Sequence, residues 1–243
     1  MHEISIAAEE IAHIAGFAVT NSMLTTLVVS FLLIAVAIWA KPKFSLIPTK
    51  AISMIEIPVE AMYKLTRQIA PHNVTEFFPL ITTIFIFVLF SNWIALLPGF
   101  GGIGLKHTVD HHESFTPLLR ATTADINTTI SLALIAVFGT HYYGLKHLGV
   151  KLHVSKYINV TNPIKFFVGF LELIGEVSKI ISFSFRLFGN IFAGEVLLIV
   201  IGSLVPVIFP IPFWGLEIFV GLIQALVFSM LTLVFCSMAV SKH

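Results

Sequence analysis

Two charges, Arg186 and Glu195, interrupt the apolar run "ISFSFRLFGNIFAGE" at 181–195. An arginine at membrane depth cannot discharge itself by losing its proton. Ionisable groups at that depth are costly and by default mark ion pathways or contacts with a partner. The same logic selects Asp125, Glu172, Glu176, Lys179 and Glu217. Carboxylates can take up and release protons. A permanent cation beside their path favours their charged form and raises the cost of any cation passing straight through.

Helical spacing sorts these groups. At about 100° per residue, Glu172, Lys179, Asn190 and Ala193 all fall within about 40° of Arg186 around the axis. Glu195 points to the opposite side, about 14 Å further along. Arg186 and Glu195 therefore serve different faces and do not pair. In the last apolar segment Glu217 and Gln224 are seven residues apart and share a face. An antiparallel pairing of the two segments would bring Gln224 towards Arg186 and Glu217 towards Glu195. A plainer reading competes for Glu172, Glu176 and Lys179. They would sit near the headgroups, with Lys179 paired to one of the carboxylates. Gly189, Ala193 and Gly194 allow a helix to approach closely. That helix belongs either to this chain or to another subunit.

The elements that must position these residues follow from composition. Of the 243 residues 57% are hydrophobic and 11% charged, against about 25% charged in an ordinary soluble domain. The fold class is an all-α membrane protein forming a single membrane domain. A span needs about 20 mostly apolar residues. After an acidic outer tail (1–19), the expected elements are a first span over 20–40, a second over 76–97 and a third over 121–145. Residues 45–70 carry Lys50, Glu56, Glu60, Lys64 and Arg67 at helical spacing and read as an interfacial amphipathic helix. Loops are expected at 98–120 and 146–162. A long helix at 163–201 carries Arg186, and a final helix covers 213–240. The long helix spans about 58 Å at the α-helical rise, so it must tilt or run partly along the membrane. The total is five membrane helices, the last two an antiparallel hairpin. Basic residues cluster after the first and third spans and at the C-terminus. This places the N-terminus outside and the C-terminus in the cytoplasm.

Other patterns carry less. Cys236, alone in an apolar run, supports no disulfide frame. "HTVDHHE" at 107–113 reads as a solvated loop rather than a metal site. His141 has no mid-membrane histidine partner to hold a haem. "GFGGIG" lacks the strand and helix of a nucleotide fingerprint, and no Walker motif is present. No basic cluster points to nucleic acid, and no cofactor is expected.

The run "SFSFRLFGNIFAGE", with "ATTADINTT" at 121–129 and "GLEIFVGLIQALVFSMLT" at 215–232, resembles the a subunit of F-type ATP synthases. The resemblance covers most of the chain. It implies a stationary proton channel beside a rotating c-subunit ring, held by peripheral stalk b subunits in a bacterial inner membrane. Such a chain catalyses nothing by itself. By the same resemblance Arg186 stands between two offset half-channels, with Asn190 and Gln224 as its polar neighbours. Glu195 and Glu217 serve the outer half-channel as a pair able to hold and pass one proton. Glu172 and Lys179 lie near the inner half-channel, and Asp125 and Asn127 border the outer side. Two other functions compete: an independent secondary transporter using Arg186 for an anion, and a structural anchor whose charges merely pair internally.

Overall fold

The computed structural model describes residues 8–14, 17–44, 49–97, 104–109, 112–157, 163–205 and 209–241. Among the described residues the chain has six α-helices, two short β-ribbons and two 3-10 turns. Strands β1 (Glu10–Ile14) and β2 (Phe17–Thr20) pair antiparallel before α1 (Asn21–Ala40). The Thr20 hydroxyl caps α1 by accepting from the Met23 N–H at 3.3 Å. A 3-10 turn (Lys41–Lys43) ends α1 at Pro42. Next come α2 (Lys50–Ile69) and α3 (Val74–Ala95). Strands β3 (Gly104–Val109) and β4 (His112–Pro117) form the second ribbon. A 3-10 turn (Thr122–Ala124) leads into α4 (Ile126–Tyr157), then α5 (Pro163–Leu204) and α6 (Pro210–Val240).

Helix α2 is amphipathic in the bundle as well. Ile52, Met62 and Thr66 are buried, while Glu60 and Lys64 form an exposed one-turn ion pair at 2.8 Å. Helix α3 is the opposite case. Phe77, Ile81, Ile84, Phe85, Val88 and Leu89 are all buried, and α3 sits at the centre of the bundle against α2, α4 and α6. Between α5 and α6 the Phe183 and Phe228 rings meet with centroids 4.9 Å apart. Lipid tails are as apolar as leucine, so such contacts hold the bundle by packing rather than by removing surface from water.

Two expectations need correction, and a third, the number of spans, is met in part. The loop expected from residue 146 is helical through Tyr157, broken at Gly149, whose φ of 76° lies in the left-handed region. The outer tail and the 98–120 loop each hold a β-ribbon rather than irregular chain. Finally, among the described residues four of the five expected spans lie on helices long and apolar enough to cross a membrane: Asn21–Lys43, Val74–Ala95, Ile164–Leu204 and Pro210–Val240. Helix α4 falls short because Asn127, Thr128, Thr129, Ser131, Thr140 and His141 dilute its apolar run. The metal question raised by 107–113 falls on side chains outside the described ones, with Asp110 and His111 outside altogether.

Candidate functional site

No proline interrupts α5 between Ile164 and Leu204, so one helix carries all of Glu172, Glu176, Lys179, Arg186, Asn190 and Glu195. Its 42 residues give a length of about 63 Å. Arg186 is exposed, and Nη2 donates to the Ser182 hydroxyl at 3.4 Å. Gly189 and Ala193 are exposed beside it, and a Cβ added at Gly189 would meet nothing within 4 Å. This face of α5 is open.

The other face is closed. Leu187 and Ile191 are buried, and Ile191 packs against Ala121 and Ala124 of the turn before α4. Glu195 follows one turn later. Its Oε2 is buried and has no hydrogen-bond partner among the described residues. The Arg120 guanidinium lies near enough to act electrostatically on Glu195. Glu217 of α6 is 6% exposed, and its carboxyl group occupies the space a Cβ on Gly194 would need. The opposite facing of Arg186 and Glu195 follows from nine residues of helical rotation. Gly194 is a correction: it makes room for Glu217 within the chain and does not share the open face.

The stripe around Arg186 is not uniform either. Asn190 Nδ2 donates to Gln224 Oε1 at 2.8 Å, tying α5 to α6. The Gln224 Nε2 is buried without a partner among the described residues. Lys179 turns back to Glu176, 2.7 Å away, and its Nζ lies 4.6 Å from the Phe235 ring centre. Glu172 stays exposed. Long side chains reach around a helix, so a shared angle on the axis does not fix where their charged ends go.

Asp125 is 4% exposed and works as a joint. It accepts from the Ser22 hydroxyl at 2.5 Å, the Asn127 N–H at 3.1 Å and the Thr128 hydroxyl at 3.3 Å. These bonds start α4 and clamp α1 to it. Asn127 itself is exposed, and its carbonyl accepts from Ser131. Sequence reasoning missed three polar neighbours on this side. Asn92 donates to the Gly221 carbonyl at 3.1 Å and accepts from Thr123 at 2.7 Å. Arg120 is buried, and its N–H donates to Thr25. The Ser91 hydroxyl is buried without a partner among the described residues. The available signal was one polar pair, Ser91-Asn92, late in an apolar span. Among the described residues no three His, Cys, Asp or Glu groups are placed to hold a metal.

Four helices able to cross a bilayer, with Glu217 buried on the last and a buried carboxylate oxygen of Glu195 on the longest, define a multi-pass membrane protein with ionisable groups built into its membrane segments. Residues 22–237 match the model of the ATP synthase A chain family. The chain is 37% identical over 224 residues to "ATP synthase subunit a" of Gloeobacter violaceus, covering 92% of this chain and 85% of that one. It is 30% identical over 231 residues to "ATP synthase subunit a" of Legionella pneumophila strain Philadelphia, covering 95% and 90%. The chain belongs to the ATP synthase A chain family.

Proposed function

We propose that this chain is the stationary proton-channel subunit of a rotary F-type ATP synthase. Its open α5 face meets the c-subunit ring, and b subunits of the peripheral stalk hold it in place. The observation that carries the reading is the exposed Arg186 flanked by Gly189 and Ala193. A permanent charge on a membrane helix, with small residues beside it, suits close approach of a partner carrying the opposite charge. The ring supplies that partner as a carboxylate. In apolar surroundings the carboxylate keeps its proton, and beside Arg186 its charged form is favoured.

The two α5–α6 contacts support an antiparallel hairpin: position 190 meets 224, and position 194 meets 217. The outer half-channel runs past Glu195 and Glu217, where partnerless buried oxygens of Glu195 and Ser91 accommodate water. Asn190 and Gln224 line the boundary at Arg186. Glu172 and Lys179 lie towards the inner half-channel. Asp125 and Asn127 fix the outer wall through the Ser22 and α4 bonds rather than by carrying protons. The N-terminus lies outside and the C-terminus in the cytoplasm of a bacterial plasma membrane, with α4 as a further span.

The test uses the complete complex in sealed vesicles. Arg186→Ala is expected to abolish proton-driven ATP synthesis while the complex still assembles. Normal coupled synthesis in that variant defeats the reading. Unchanged proton flux after Glu195→Gln with Glu217→Gln removes the outer path.

A further inference from the structure

Ten residues before Arg186, Glu176 meets side chains from the far end of α4. Its Oε1 accepts from Lys179 Nζ at 2.7 Å and from the Tyr157 hydroxyl at 3.3 Å. Its buried Oε2 lies 3.6 Å from His141 Nε2, beyond hydrogen-bond length. His141 Nδ1 is in turn 3.2 Å from His153 Nε2. The two histidines and Glu176 border a cavity of about 280 Å³.

Three glycines build this cluster. Gly149, at φ 76°, turns the end of α4 so that His153 comes back against His141. A Cβ on Gly144 would stand 2.6 Å from His153 Cε1, so the ring has its place only against glycine. A Cβ on Gly169 of α5 would strike the Tyr157 carbonyl. Close approach at Gly144 and Gly169, with a left-handed turn at Gly149, marks a constructed site rather than a chance meeting of side chains.

We propose that His141 and Glu176 form a proton-exchange station at the inner end of the path, with His153 as its positioning residue. This rests on the function proposed above. His153 is 5% exposed. Burial, His141 and Lys156 hold its pKa below the ordinary value, with Glu176 opposing them. It is therefore neutral. We assign the tautomer in which its Nε2 accepts the His141 Nδ1–H, which leaves His141 Nε2 without a proton opposite Glu176. A proton on Glu176 Oε2 then moves to His141 Nε2: the O–H bond breaks and an N–H bond forms. Water in the cavity takes the same proton from Nε2, which leaves His141 neutral again and Glu176 ionised, ready to take the next proton. Reversed, the sequence carries a proton inward to Glu176. Lys179 bonds Glu176 and lies two turns from Arg186, about 10 Å along the axis, which links the station to the proposed path. The other charged groups acting on the cluster are Lys156 on His153 and Glu172 on Tyr157.

The experiment measures proton-driven ATP synthesis, per assembled complex, in vesicles of the complete enzyme while the inner-side pH is varied. Water offers a slow bypass, so His141→Gln and Glu176→Gln are each expected to lower the rate about tenfold, less than a fully lost acid–base group. Both variants are expected to lose the inner-side pH step. His153→Gln is expected to keep most of the rate and move the midpoint of that step. Imidazole added on the inner side is expected to restore His141→Ala. Unchanged rates and pH profile in His141→Gln and Glu176→Gln overturn the proposal, and so does absence of imidazole rescue. Arg186→Ala, run in parallel, separates the two levels. If it abolishes synthesis while His141→Gln is normal, only the station falls. If it leaves synthesis intact, the channel reading falls as well.

Discussion

The two sides of α5 are built on opposite principles. One side, around Arg186, Gly189 and Ala193, is exposed, and a Cβ on Gly189 would meet nothing within 4 Å among the described residues. The other, around Leu187, Ile191 and Gly194, is packed to contact, and Glu217 leaves no room for a methyl group at Gly194. The same residue type thus has two meanings one and a half turns apart. Gly194 is small because the chain's own α6 lies on it. Gly189 has no such neighbour among the described residues, and the function proposed above gives its small size a partner to make room for.

Substitutions sharpen this contrast, in falling order of effect. Gly194→Ala forces Glu217 out of its place and is expected to destabilise the α5–α6 pair by about 3 kcal/mol, the upper end for overpacking. Thermal unfolding in detergent measures it, and an unchanged midpoint would mean Glu217 relocates freely. Asn190→Ala removes one interhelical bond and strands Gln224, for about 1 kcal/mol. Here a double-mutant cycle with Gln224→Ala isolates the coupling. Gly189→Ala is expected to change the stability of the isolated subunit by less than about 0.5 kcal/mol, yet to slow coupled proton flux in the complete enzyme. Equal effects of the Gly189 and Gly194 changes on the isolated subunit would erase the distinction between the faces.

The inner end adds a pH-dependent prediction, smaller still. The folded state holds His153 below its ordinary pKa, chiefly by burial. The unfolded chain therefore binds more protons at low pH. The neutral ring's contribution to stability is full above the unfolded value of about 6.5 and declines as pH falls below it. His153→Gln should reduce the drop in unfolding temperature between pH 7.5 and 5.5 (about one unit either side of that value), and an equal drop in both proteins would contradict this.

The sequence made the fold class and the facing of its charges readable, because both depend on local rules. Composition alone requires a membrane-embedded helical chain, and nine residues of rotation set Glu195 opposite Arg186. Where the reading failed, the cause was distance along the chain or reach of a side chain. Residues 146–157 carry Lys146, Lys151 and Lys156 with Gly149 among them and look like a loop, yet they continue as helix beyond that one left-handed residue. His153 meets His141 only through that reversal, so no periodicity announces the pair. Lys179 shares an angle with Arg186 but is long enough to turn to Glu176. Asp125 was legible as important. That it clamps α1 through Ser22, 103 residues earlier, was not.

The length of α5 has a geometric consequence. A straight helix of about 63 Å confined to a layer about 30 Å thick leans roughly 60° from the normal. Glu176 and Glu195 are 19 residues apart, about 28 Å along such an axis. Projected at that lean, they differ by only about 14 Å in depth but by about 25 Å sideways. On the function proposed above, one oblique rod would place an inner proton group and an outer one above different points on a neighbouring circle. The sideways offset that makes a passing ring travel in an arc would then follow from helix length alone, with no second element to measure it out.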